Sequence, residues 1–109
     1  MGYLYLLIAI TGEVIATTYL KSTNSFSELI PSIYVVVGYG IAFYFMMLAM
    51  KTIPIAITYS IWAGVGIAAI TLLGALKYKE IPDLQALLGL VLIILGVIIL
   101  VFYSKMGAN

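Results

Sequence analysis

The chain has 109 residues, 65% of them hydrophobic and 8% charged, with a mean hydropathy of +1.25. A soluble domain carries about one quarter charged residues, so this composition excludes one and places nearly all of the chain in a lipid bilayer. With a net charge of +1 and no basic run, a nucleic-acid partner is excluded; without cysteine or histidine, so are disulfides, thiolate or imidazole metal sites and the usual proton shuttle.

The first apolar span runs from about residue 3 to 20, YLYLLIAITGEVIATTYL, and is closed by Lys21-Ser22-Thr23-Asn24-Ser25. It lacks a basic leading region and carries an acid, so it is expected to remain as a helix rather than to serve as a cleaved leader. That acid, Glu13, lies roughly 15 Å in, near the middle of a hydrocarbon layer about 30 Å thick. A carboxylate at that depth costs on the order of 3 kcal/mol, and such groups mark pathways and relays more often than packing. Spacings of three, four and seven put Leu6, Ala9, Ile10, Ala16 and Thr17 on the same helix face. Small residues beside the acid leave either a cavity or a close helix contact, and the sequence leaves both open.

The second span, about 32–50, follows Pro31 and carries Tyr39 on one face with Ala42, Phe43 and Met46. The third, about 55–76, follows Pro54 and carries Tyr59 with Trp62, Ala63 and Gly66. Aromatic rings facing a low-dielectric space hold organic cations by their quadrupoles, for roughly 0.5–2 kcal/mol each. Trp62 sits well inside its span, which argues against interfacial anchoring; packing is the competing reading for Trp62 and for Tyr39. Tyr3, Tyr5, Tyr19, Tyr34, Tyr78 and Tyr103 lie nearer span ends and fit an interfacial belt, although Tyr3 is also counted with the lining candidates. Gly64-Val65-Gly66 interrupts the third span and permits either a hinge or close packing. The fourth span, about 84–103, follows Pro82 and has no charge. Gly89 and Gly96 on one of its faces suit helix association.

All three prolines fall at or just before helix starts, where a missing N–H costs little. Every charge except Glu13 falls between spans or at the end of the chain. The expected fold is therefore an all-α membrane protein: one domain of four transmembrane helices whose short connections make consecutive helices antiparallel neighbours. Orientation is not decided. Lys51 and Lys105 lie on one side and Lys21, Lys77 and Lys79 on the other, a bias too small for the positive-inside rule. The chain either inserts one way despite the weak bias or inserts both ways and pairs with itself. Glu13 has no basic residue in any span to pair with, so its charge is balanced by a proton or by a cation from outside the chain.

With these residues in view, the chain resembles the small multidrug resistance transporter family over essentially its whole length. The likeness is carried by GEVIATTYLK (12–21), Pro31, Tyr39, IPIAITYSIWAGVG (53–66) and GLVLIILGVIIL (89–100). It implies an antiparallel, dual-topology homodimer in the inner (plasma) membrane of a bacterium or archaeon. Such a dimer exchanges protons for lipophilic, aromatic or quaternary ammonium cations and needs no cofactor beyond the coupling proton. On that likeness Glu13 is the shared proton and substrate site. Trp62, Tyr59 and Tyr39 line the chamber, with Tyr3, Ala9, Ile10, Thr17 and Phe43 as further lining candidates. Gly64, Val65 and Gly66 form the bend, and Gly89 and Gly96 the dimer contact. Ala42 stands where many members have a serine. Ile15-Ala16-Thr17 is similar to the drug-exporting branch, whereas the guanidinium-exporting branch usually has glycine and tryptophan there. Export of guanidinium or polyamines is the alternative within the family, and a structural subunit of a membrane complex the alternative outside it. No nucleophile–base pair or metal cluster is visible, so an enzyme is not expected.

Overall fold

A computed structural model describes residues 1–105. Its helices are α1 (Gly2–Leu20), α2 (Leu29–Ala49), α3 (Ile55–Tyr78) and α4 (Leu84–Tyr103), with a short 3-10 turn at Lys21–Thr23. At about 1.5 Å per residue, each of these helices is long and apolar enough to cross a membrane. Among the described residues there is no strand. The all-α, four-span reading of the sequence therefore holds. Two boundaries differ from expectation. Helix α2 starts at Leu29 rather than near 32, because Pro31 is accommodated inside the first turn, where its amide would have no partner in any case. Helix α3 continues to Tyr78 rather than 76, and Lys79 then takes a left-handed conformation (φ 58°) while the Glu80 amide bonds back to the Gly74 carbonyl at 3.2 Å.

The chain forms two compact units, Met1–Thr52 and Ile53 onward. In the first, α1 and α2 are an antiparallel hairpin: Tyr5 meets Phe45, Gly12 meets Gly38, and Tyr19 meets Tyr34. The helices approach along a seam of small side chains. Ala9, Ala16, Ala42 and Ala49 are completely buried, and Gly12 and Gly38 lie between them. A methyl group built on Gly12 would come within 2.9 Å of the Gly38 carbonyl oxygen, and one on Gly38 within 2.9 Å of both the Gly12 carbonyl oxygen and the Ala16 Cβ. In lipid the hydrophobic effect does not hold helices together, so this backbone-to-backbone packing does so. The loop that joins them passes through three consecutive left-handed residues, Asn24, Ser25 and Phe26. Thr23, 1% exposed, pins it by accepting from the Phe26 amide and donating to the Leu20 carbonyl.

In the second unit, Gly64 of α3 lies against Val97 of α4, where a Cβ would meet the valine side chain at 2.9 Å. Beside this contact runs an apolar groove of about 500 Å³ lined by Gly64, Ala68, Leu72, Ile94, Val97 and Ile98. Helix α4 opens with Asp83, whose carboxylate accepts from the Ala86 amide at 2.8 Å and so caps an orphan donor. None of the α4 residues is buried, and its mean hydropathy reaches 3.1.

Several hydroxyls inside the spans follow a local rule. Thr11, Ser60 and Thr71 each donate to the carbonyl four residues back, at 2.8, 2.6 and 2.7 Å. This satisfies a polar group where no water is available.

Two outcomes follow from this packing. Gly38→Ala should destabilise the protein by about 1–3 kcal/mol through overpacking. Gly40→Ala, on the same helix with nothing within 4 Å of its Cβ position, should be neutral or gain about 1 kcal/mol of helix propensity. Equilibrium unfolding of the detergent-solubilised protein in increasing SDS separates them. By the same measurement, Asp83→Ala should cost about 1 kcal/mol from the lost cap.

Candidate functional site

Glu13 is at the middle of α1, one residue past the glycine on which α1 and α2 touch. That adjacency places its backbone at the closest approach of the two helices, and its side chain is half-buried there. Neither α1 nor α2 contains a lysine or arginine, and Glu13 is the sole acid of both. The carboxylate therefore has no counter-charge within the two helices.

Its two oxygens differ. Oε1 accepts a hydrogen bond from the Thr17 hydroxyl, one turn along the same helix, at 2.7 Å. Oε2 is buried and has no hydrogen-bond partner among the described residues. A buried carboxylate oxygen without a donor is costly, and it is the atom to which a cationic ligand has most to offer. The Thr17 hydroxyl also lies 2.7 Å from the phenolic oxygen of Tyr39, which reaches over from α2. The Tyr39 ring in turn stacks on Phe43, with centroids 6.1 Å apart and planes inclined by 24°. Phe43 leaves 57% of its surface exposed, so an aromatic face stands open beside a phenol already tied to the acid.

Of the residues singled out from the sequence, the structure thus brings together Glu13, Thr17, Tyr39 and Phe43 in the first unit. Ala9 and Ile10 are buried at 0% and 5% exposure, Ala9 in the seam of small residues. The seam, not open space, is where the small residues of this α1 face lie. Tyr3 is 62% exposed near the start of α1. In the second unit Tyr59 is 60% exposed and Trp62 half-buried on α3. Helix α3 runs unbroken through Gly64, Val65 and Gly66. Gly64 and Gly66 are buried and Val65 faces outward, Gly64 at its contact with Val97. Gly89 and Gly96 have nothing within 4 Å of their Cβ positions.

Gly12 and Gly38 were not among the residues chosen from the sequence, yet they set the distance at which Tyr39 can reach Thr17. The signal was present as two small pairs four apart, Gly12 with Ala16 and Gly38 with Ala42. It is a common pattern in membrane helices, and only the contact between the pairs shows what it is for.

The sequence is similar to known proteins. Residues 1–93 match the family model described as Small Multidrug Resistance protein. The quaternary ammonium compound-resistance protein QacE of Escherichia coli is 45% identical over 108 residues, which cover 99% of this chain and 98% of that protein. A multidrug transporter of Pseudomonas aeruginosa is also 45% identical over 108 residues, with the same coverage. The quaternary ammonium compound-resistance protein QacC of Staphylococcus aureus is 43% identical over 98 residues, 90% of this chain and 92% of that one. With four spans and a family match over most of its length, the chain belongs to the small multidrug resistance family and is a multi-pass protein of the bacterial inner membrane.

Proposed function

We propose that this protein is a proton-coupled exporter of lipophilic, aromatic and quaternary ammonium cations, acting as an antiparallel homodimer. The observation that carries the reading is the Glu13 carboxylate: one oxygen held by Thr17, the other buried without a donor, in two helices that contain no positive side chain. A charge so placed is stable only with a proton on it or a cation beside it. The names of the relatives, quaternary ammonium resistance proteins and a multidrug transporter, support organic cations as that second occupant.

The chemistry is exclusion. A protonated carboxyl offers an organic cation no charge, and a carboxylate held against a cation has no need of a proton. Coupling follows because each ligand shifts the same group toward a different state, and access alternates between the two sides of the membrane. The open faces of Tyr39 and Phe43 supply quadrupole attraction for a cation that has no N–H to donate, as a quaternary ammonium does not. Tyr59 and Trp62 of α3 are further aromatic contacts on this reading, and Gly64–Gly66 the segment that bends as access alternates. If two protons exchange for one monovalent cation, one net charge moves inward, worth about 2.3 kcal/mol per 100 mV.

The homodimer is supported by α4. A helix with mean hydropathy 3.1 and no buried residue, with Gly89 and Gly96 open on its surface, suits close association with a second copy. The nearly balanced lysines on the two sides suit insertion in both orientations.

The decisive measurement is proton release on adding tetraphenylphosphonium to purified protein in weakly buffered detergent. The wild type should release protons and Glu13→Gln should release none; unchanged release from that variant would end the antiporter reading. Guanidinium as competitor distinguishes the branches, since displacement of tetraphenylphosphonium at comparable concentration would move the assignment to guanidinium export. Phe43→Ala should weaken tetraphenylphosphonium binding by up to about thirtyfold, the upper range of one cation–π contact. Equilibrium dialysis checks this.

A further inference from the structure

On α2, Ala42 packs against Gly12, the chain neighbour of Glu13. That side chain is fully buried in the seam between α1 and α2 and has no hydroxyl to offer. The hydroxyl that reaches Glu13 comes instead from its own helix. Thr17 departs from the local rule to supply it: Thr11, Ser60 and Thr71 return their hydroxyls to the carbonyl four residues back, whereas Thr17 gives its proton to the Glu13 side chain.

A hydroxyl has one proton to give. With that proton on Glu13 Oε1, the second 2.7 Å contact of Thr17, to the Tyr39 oxygen, is one in which tyrosine donates. The chain therefore has a direction, from the Tyr39 O–H to the Thr17 oxygen and from the Thr17 O–H to the carboxylate. The Tyr39 ring is held by its stack on Phe43, so the mobile part is the hydroxyl hydrogen and not the ring.

We propose that Thr17 is a positioning residue that makes the direction of the Tyr39 hydroxyl depend on what occupies Glu13. The inference rests on the reading of Glu13 as the exchange site. While the carboxylate is ionised, the Tyr39 hydrogen is turned toward Thr17 and its lone pairs face away, presenting the negative end of the phenol dipole to a cation. When a proton is added at Oε1, that new O–H donates to Thr17, Thr17 donates to Tyr39, and the Tyr39 hydrogen swings outward. One proton has been gained, two O–H rotors have turned, and no bond between heavy atoms has changed. The outward hydrogen then opposes a cation at the place where the lone pairs attracted one. A proton at Oε2 instead leaves the chain as it was, so only the Oε1 tautomer reverses it. Thr17 thus passes the state of the acid to the aromatic side of the site, and sharpens the exclusion between proton and substrate.

The groups that bear on this are few. Within α1 and α2 Glu13 is the sole acid and there is no lysine or arginine; Lys21 and Glu28 lie in the loop that joins them, and Tyr39 is the titratable side chain hydrogen-bonded to Thr17. Of the other tyrosines, Tyr5 and Tyr44 contact Phe45, Tyr19 contacts Tyr34, and Tyr3 is exposed.

The test is the pH dependence of tetraphenylphosphonium binding to the purified full-length protein. It is measured for the wild type, Thr17→Val, Thr17→Ser, Tyr39→Phe, the Thr17→Val/Tyr39→Phe pair and Glu13→Gln. Valine keeps the shape of threonine and removes the donor to the carboxylate. The proton then competes better, and the pH at which half the binding is lost should rise by about one unit, the loss of one charge-assisted hydrogen bond. Serine should restore the wild-type midpoint. Tyr39→Phe should shift it in the same direction by less, and should shift it no further once Thr17 is valine, because the path between them is cut. A wild-type profile in Thr17→Val, or fully additive shifts in the pair, would overturn the inference. Glu13→Gln separates the two readings: cation-triggered proton release in that variant sinks the exchange site itself, whereas its loss alongside a normal Thr17→Val profile sinks only the relay. Midpoints do not depend on how much protein is active, so partial misfolding of a variant leaves the comparison valid.

Discussion

A carboxylate held in a low-dielectric medium attracts whatever positive charge it can reach, and the cost of leaving it alone governs its surroundings. In this protein the helices that hold Glu13 contain no lysine or arginine, so any balancing charge has to come from outside them. The hairpin does not compensate for this fully. It gives one oxygen a hydroxyl at 2.7 Å and leaves the other buried without a donor. A fully satisfied carboxylate would bind a proton and a cation weakly and both alike. One that is half satisfied leaves an oxygen with which a positive group can pair.

The precision of that arrangement comes from the smallest side chains in the structure. Gly12 and Gly38 let the backbones of α1 and α2 touch, with Ala9, Ala16 and Ala42 filling the seam on either side. Only at that separation can the phenol of Tyr39 reach a hydroxyl on the neighbouring helix. The packing that stabilises the hairpin and the geometry that tunes the acid are thus a single set of contacts. Within the same set Ala42 has no hydroxyl, and the one that reaches the acid is that of Thr17. The α3–α4 unit is built differently. There the glycine contact, Gly64 on Val97, stands beside an apolar groove, and no residue of α4 is fully buried. One hairpin is closed by a seam of small residues, and the other has a fourth helix with no fully buried residue.

Much of this was legible in the residues alone. Hydrophobic length, the prolines between spans and the placement of charges determined four membrane-crossing helices, because a bilayer imposes a length that composition must match. The isolation of Glu13 was equally legible, since the lack of any basic residue in the first two spans is a property of the list and not of the fold. Helix periodicity also put Thr17 within reach of Glu13, a fixed distance of one turn. What tertiary structure alone decided was the use of the small residues, as contact and not cavity, and the choice of Tyr39 as the partner of Thr17. Those depend on the rotation and separation of two helices, which are set by many weak contacts between faces. A sequence records which faces exist, but two of them must be brought together before a hydroxyl on one can find a phenol on the other.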